Sequence, residues 1–398
     1  ISNNEKAVLL LEKRTFKELL VDMELRNLQN NIVGQEASRL FARAEINMGV
    51  EAFRDSLYSL LKRNTFLNIK FENMLDTLGE ISRTDIRSLL GEWEKTTPLP
   101  FYSLGEPTLT KITNKGGEEF FVLKMLISNN SDYDGIIHMD IRKDGWWYQP
   151  LEDPRAKTKI EMPAHTSKEF VSVWEDQIRN VEINTMVSGN LPNIISQDIN
   201  NVKQERNKIV KDSIYILPES SFDLPGEIIV DNEDSTLFIL SAPPIVGLLP
   251  KWLDEVEETP FKYSGISWWR PPLQWTATTN DRYYGKYIRS AFVIKSGDGS
   301  QTATWKVPVP EVGQYDLYYH VFKDDELRWN NNLQGEYHFK VKYGSEVEDA
   351  YVNLRKANEG WEQLGSYYFD SDTIRVVLTD ECKLRSVTAD AVKIVKRY

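Results

Sequence analysis

The sequence predicts a multidomain α + β protein, with a helical N-terminal segment followed by two β-sandwiches. Three observations predict it. The apolar spacing changes from a 3.6-residue to a two-residue period after Pro98-Leu99-Pro100. A length of 398 residues exceeds the roughly 250–300 at which a single core stops growing. Strand-like patterning fades over 193–223 and returns from Leu224 with more Gly, Pro and aromatics. The expected domains are therefore 1–100, 101–192 and 224–398, joined by a linker or helix over 193–223.

In the first segment Leu9, Leu10, Leu11, Phe16, Leu19, Leu20 and Met23 recur at helical spacing. So do Phe53, Leu57, Leu60 and Leu61, and then Ile86, Leu89, Leu90 and Trp93. Gly34, Gly49, Asn64, Gly79 and Pro98 are expected stops, and Ser82 or Thr84 an N-cap for the last helix. The middle segment offers strands at 119–127, 135–141, 157–162 and 180–187. The last offers strands at 227–230, 301–307, 314–320, 337–343, 373–378 and 391–395, enough for a jelly-roll-like sandwich. A Pro- and Trp-rich excursion over about 242–280 interrupts it.

Charge and rare residues exclude several function classes. Lys and Arg number 48 against 60 Asp and Glu, a net charge of −12, which disfavours a general nucleic-acid binder. One cysteine, Cys382, cannot form an internal disulfide. No stretch approaches the roughly 20 apolar residues of a membrane helix. The four histidines, His138, His165, His320 and His338, are too scattered for a His-Glu-x-x-His zinc helix. His320 and His338 fall on strands expected to be adjacent and can meet, or simply sit satisfied on a sheet face. No Gly-x-Ser-x-Gly elbow, phosphate-binding loop or dinucleotide fingerprint occurs. The acidic runs 231–234, 132–135 and 297–299 have oxygens suited to calcium, but such runs are more often plain Asx turns.

Aromatics supply the remaining chemical signal. Ser267-Trp-Trp-Arg-Pro-Pro-Leu-Gln-Trp275, Asp281-Arg-Tyr-Tyr-Gly285 and Trp329-Asn-Asn-Asn332 set flat rings beside amides and charges. Sugar rings offer C–H faces to such planes and hydroxyls to such polar groups. Trp268, Trp269, Trp275, Tyr283, Tyr284, Trp329 and Asn331 form the candidate glycan platform. The competing reading is a satellite core that clamps the excursion onto the sandwich.

Two resemblances have residues behind them. Met48-Gly-Val-Glu-Ala-Phe-Arg-Asp55, residues 71–78, and Asp85-Ile-Arg-Ser-Leu-Leu-Gly-Glu-Trp93 before Leu99-Pro100 resemble the end of the helical part of gluzincin aminopeptidases. The region 106–190, with Ser188-Gly-Asn-Leu-Pro192, is similar to the immunoglobulin-like β-domain that follows in membrane-associated members. The family's zinc ligands are absent, and Gly34 stands where its catalytic Tyr would be, so no active-site residue carries over. Gly226-Glu-Ile-Ile-Val-Asp-Asn232, Tyr284-Gly-Lys-Tyr287, Ala303-Thr-Trp305, Val309-Pro-Glu-Val-Gly-Gln-Tyr315, Gly360-Trp-Glu-Gln-Leu-Gly365 and Val387-Thr-Ala-Asp-Ala-Val392 resemble the golvesin C-terminal and xanthan-lyase carbohydrate-binding-like domain. That resemblance implies binding rather than catalysis, with Trp305, Trp361 and Val392 as core or rim.

Together they imply a non-catalytic, extracytoplasmic docking region of a membrane-tethered bacterial envelope protein, without a transmembrane segment of its own. Its expected partners are an envelope or membrane-transporter protein, or a glycan. No cofactor is expected within the chain; zinc would belong to an upstream catalytic half, which the start at Ile1 leaves room for. A fragment of an active zinc aminopeptidase and a simple carbohydrate-binding module are the alternatives.

Overall fold

The structure, a computed structural model, describes residues 1–65, 67–82, 85, 95–143, 149–206, 210–218, 226–241, 261–267, 269–323 and 335–397. The chain forms two compact units, residues 2–222 and 223–398. Among the described residues are five α-helices, all in the first unit, and several open sheets, so the protein is mostly β.

Local chemistry starts the first helices. α1 (Asn3–Lys13) and α2 (Phe16–Val21) each open in a capping box, Ser2 with Glu5 and Thr15 with Glu18, which satisfies two orphan N–H groups apiece. α3 (Gln29–Met48), α4 (Val50–Arg63) and α5 (Phe71–Ser82) follow. Leu40, Ala44, Phe53, Leu60, Leu75 and Leu78 form the core that joins these three. Gly49 and Asn64 end helices as expected. Gly34 and Gly79 do not; they lie inside α3 and α5. An interior glycine costs about 1 kcal/mol against alanine, which the burial of Ile32 and Leu40 along α3 outweighs. The further helix expected around 86–93 lies outside the described residues.

Two sheets complete this unit. β1 (Tyr102–Leu104), β2 (Thr108–Thr113), β3 (Glu119–Asn129), β7 (Thr166–Trp174), β10 (Val202–Arg206) and β11 (Ser213–Pro218) make the first, ordered β10-β2-β3-β7-β11 with β1 also on β3. β4 (Gly135–Lys143), β5 (Gln149–Pro150), β6 (Lys157–Met162), β8 (Ile178–Asn184) and β9 (Ile194–Asp198) make the second, ordered β5-β4-β8-β9 with β6 on β4. Leu123, Met125 and Phe170 of one share a core with Met139, Val181 and Ile183 of the other. The linker or helix expected over 193–223 is corrected to strands β9, β10 and β11. All three are sheet-edge strands. Edges tolerate polar side chains, and four of five β10 residues are exposed, so the alternation that marks a half-buried strand is missing.

Buried polar contacts pin the helices to the sandwich. The Thr97 hydroxyl donates to Glu36 at 3.2 Å, and the Asn193 backbone N–H to Glu5 at 3.2 Å. Lys159 of β6 pairs with Glu45 of α3. At the entry to the sheets, the fully buried Asn190 side chain accepts from the Tyr102 N–H at 2.9 Å and donates to the Tyr102 carbonyl at 2.8 Å.

The second unit holds three sheets. β12 (Glu227–Val230), β17 (Gly313–Val321), β20 (Gly360–Phe369) and β23 (Val392–Lys396) run in the order β12-β23-β17-β20. β13 (Phe238–Ser241), β16 (Thr302–Pro308), β18 (Glu336–Tyr343), β19 (Glu346–Asn353) and β21 (Thr373–Thr379) run β13-β16-β21-β18-β19. β14 (Thr276–Thr279), β15 (Ser290–Lys295) and β22 (Ser386–Ala389) form a small third sheet. Trp305, Tyr315, Leu317, Tyr319, Phe339 and Phe369 build one core from the inner faces of the two larger sheets. The excursion expected over 242–280 is shortened at its end: 276–279 is β14, paired with β15. Residues 242–260 and 268 lie outside the described residues.

Candidate functional site

The expected glycan platform does not assemble as one surface among the described residues. Trp268, Trp329 and Asn331 lie outside them. Trp269 stands 78% exposed beside a turn that bridges Ser267 to Arg270, with the Arg385 guanidinium 4.7 Å from its ring centroid. Trp275 packs against the core, and its buried indole N–H has no hydrogen-bond partner among the described residues. Tyr283 is 2% exposed and packs tilted against Phe322 at a centroid distance of 4.6 Å, so it is core. Only Tyr284 joins a new group, and its neighbours come from outside the expected set.

That group lies on the outer face of the sheet β12-β23-β17-β20. Alternation along β17 sends Tyr315, Leu317, Tyr319 and Val321 inward. Asp316, Tyr318 and His320 therefore face outward. Cross-strand register sets His320 opposite Trp361 and Tyr318 opposite Lys393. Trp361, expected in the core or at its rim, is absent from the core and meets His320 and Tyr284 at centroid distances of 5.1 Å each. Trp305 and Val392, by contrast, are fully buried. A bulge between Leu317 and Tyr318 shifts the pairing with β20, which breaks the simple two-residue pattern of that strand. This break is why the sequence pattern misses Trp361; the surviving signal is a Trp beside a glycine at a strand start.

Charges on this face are paired internally. Lys393 lies 4.9 Å from the Trp361 centroid and 5.3 Å from that of Tyr318, and bonds Glu227 at 2.9 Å. Arg397 bonds Asp316 at 2.7 Å and holds its carboxyl below the usual range. Gln363 donates to the same carboxylate at 3.0 Å. The result is a row of aromatic faces among fixed donors and acceptors with little unbalanced charge. Such a surface suits a neutral, hydroxyl-rich ligand.

Beneath it lies a carboxylate cluster. Asp390, fully buried, accepts from the Tyr284 N–H at 3.1 Å and meets His320 Nδ1 at 2.8 Å. Burial pushes its pKa up, and His320 opposes that shift. Asp231 is pushed up to about 8, by burial first and then by Asp390 and Glu233. Glu233 in turn accepts from Tyr263 at 3.0 Å and from Ser290, whose hydroxyl meets the Asn232 amide at 2.7 Å. Of these, Asp390 holds the backbone of Tyr284 in place.

The remaining candidates have local roles. His320 and His338 do not meet: β17 and β18 belong to different sheets, because the chain crosses between layers there. His338 pairs with Asp349 at 2.7 Å and stacks on Tyr351. His165 pairs with Asp132 at 2.8 Å, and burial followed by Lys159 lowers the pKa of His138. Asp134 accepts from the Ala164 N–H at 2.8 Å, while Asp234 and Asp298 cap their own turns through Thr236 and Ser300. Among the described residues no three His, Cys, Asp or Glu side chains are placed to hold a metal ion. Cys382 is half-buried, and burial raises its thiol pKa.

Residues 271–396 match the Golvesin C-terminal domain family. The matched span includes Tyr284, His320, Trp361, Asp390 and Lys393. No curated protein matches the sequence. Among solved structures, Bacteroides uniformis beta-glucuronidase is 13% identical over 80% of this chain and 32% of its own, with a TM-score of 0.22. Legionella pneumophila aminopeptidase A in complex with aspartic acid is 15% identical over 38% of this chain and 16% of its own, at 0.20. Scores this low establish no shared fold. The chain spans less than a third of either protein.

Proposed function

We propose that the chain is a non-catalytic carbohydrate-binding and docking region, with the outer face around Trp361 as its glycan surface. The match of 271–396 to the Golvesin C-terminal domain carries this reading. The aromatic row Tyr318, Trp361 and Tyr284, set among paired charges, supports it. Ring faces would stack on sugar C–H groups, while Asp316 and Gln363 read hydroxyls. The exposed Trp269 beside Arg385 is a secondary contact. On this reading the first sandwich is an immunoglobulin-like spacer and the second jelly-roll-like. The whole works outside the cytoplasm, on an envelope protein related to membrane-associated aminopeptidases and near a membrane transporter.

The test is calorimetric titration of the whole chain with bacterial envelope polysaccharides and their oligosaccharides. Binding in the micromolar to millimolar range, weakened at least tenfold by Trp361→Ala, is expected. Saturable binding unchanged by Trp361→Ala moves the site elsewhere, and no binding to any glycan overturns the proposal.

A further inference from the structure

The outer face of the sheet β12-β23-β17-β20 continues along its strands well past Trp361. Register sets His320 opposite Trp361, Tyr318 opposite Gln363, Asp316 opposite Ser366 and Gln314 opposite Tyr368. Side-chain bonds show that these residues share the face. Gln363 donates to Asp316 at 3.0 Å and to Ser366 at 3.1 Å, and the Ser366 hydroxyl donates to Asp316. At the far end the Tyr368 side chain is 60% exposed, although its chain neighbours Tyr367 and Phe369 both belong to the core. The alternation of β20 turns this one ring of the three outward.

Aromatic rings therefore stand at both ends of the line, Trp361 and Tyr284 at one and Tyr368 at the other. Between them lies a polar stretch whose groups are already oriented. The Gln363 amide uses its N–H bonds on Asp316 and Ser366, which leaves its carbonyl oxygen as the acceptor for a ligand. Arg397 uses Nε on Asp316 at 2.7 Å, and its terminal nitrogens remain donors. Charge along the line is balanced within the protein, Asp316 by Arg397 and Lys393 by Glu227.

Length and straightness narrow the ligand. The six strand steps from Gln314 to His320, at about 3.4 Å each, span roughly 20 Å, or about four pyranose units of roughly 5 Å. Sugar chains joined by β-1,4 linkages run as extended ribbons with C–H faces exposed, whereas α-1,4 chains coil. A ribbon of that length meets a ring at each end and places its middle hydroxyls on the polar stretch. Building on the glycan reading above, we infer that the ligand is a neutral, extended β-1,4-linked chain lying along β17 and β20, with Tyr368 as its far contact.

Calorimetric titration of the whole chain with cellobiose, cellotetraose, cellohexaose and maltotetraose tests this. Cellotetraose is expected to bind at least about tenfold more tightly than cellobiose or maltotetraose, with cellohexaose within about threefold of cellotetraose. Tyr368→Ala should weaken cellotetraose at least about fivefold and leave cellobiose within about twofold. Tyr368→Phe keeps the ring and should bind as the unaltered protein does; circular dichroism checks that both variants fold. Equal affinity for cellobiose and cellotetraose, for maltotetraose and cellotetraose, or for cellotetraose with and without the Tyr368 ring would each overturn the extended chain while leaving the surface at Trp361 standing. Absence of binding by all four sugars at ten millimolar would overturn it as well, and the glycan reading itself falls only if the envelope polysaccharides also fail to bind.

Discussion

The two faces of the sheet β12-β23-β17-β20 are cut from the same strands and both carry aromatic rings, but only the outer one carries charge. Inward, Tyr315, Leu317, Tyr319 and Ile394 are at most 1% exposed and pack on Trp305 and Phe369. Outward, Asp316, Tyr318, His320, Lys393 and Trp361 combine rings with paired charges. One residue of register separates a core from the surface proposed to bind glycan. Aromatic content alone therefore does not mark a binding site. What marks it is an aromatic side chain on the polar phase of the alternation.

Breaking the inner face should cost most. Trp305→Ala is expected to lose about 3–5 kcal/mol of unfolding free energy, since it empties a fully buried site and frees an indole bond to the Asp390 carbonyl. Urea unfolding checks this; a loss under about 1 kcal/mol would mean the core is not packed around that ring.

The carboxylates between the faces come next. The folded unit keeps the Asp231 proton up to about pH 8, whereas the unfolded chain releases it near pH 4. The stabilisation from this group is complete below pH 4 and is lost as pH rises to about 8. Asp231→Asn should flatten that slope, read as urea midpoints at pH 5 and pH 8. An unchanged slope would assign the titration to another group.

Trp361→Ala should separate the two faces most cleanly. Stability should fall by only about 1–2 kcal/mol for a half-buried ring, while glycan affinity falls tenfold or more, about 1.4 kcal/mol. A loss of stability matching that of Trp305→Ala would make Trp361 a core residue after all. The smallest effect is expected from Glu227→Gln, under about 1 kcal/mol and diminished by salt, because its partner Lys393 retains the two rings.

Much of the fold was legible wherever one face of an element is buried. The strand expected at 157–162 coincides with β6, and those at 373–378 and 391–395 lie within a residue of β21 and β23. Legibility failed at edges, where β9 and β10 show polar side chains on both phases and β11 leaves its apolar side chains exposed. It failed again at β20, whose bulge breaks the period. The candidate site was legible only through Tyr284. Asp231 and Asp390 come together from opposite ends of their unit, and no local pattern in either segment announces the other.

The clasp between Asn190 and Tyr102 carries a consequence for solvent exchange. β1 is three residues long and would ordinarily open and close rapidly, as short strands do. Yet the Tyr102 N–H is held by a buried side-chain amide that also grips the carbonyl of the same residue. Its amide proton should therefore exchange with deuterium as slowly as those in the middle of β3, and Asn190→Ala should turn it into a fast exchanger while leaving β3 protected. The entry of the chain into the sandwich is thus timed by the opening of one side chain rather than by the length of its strand.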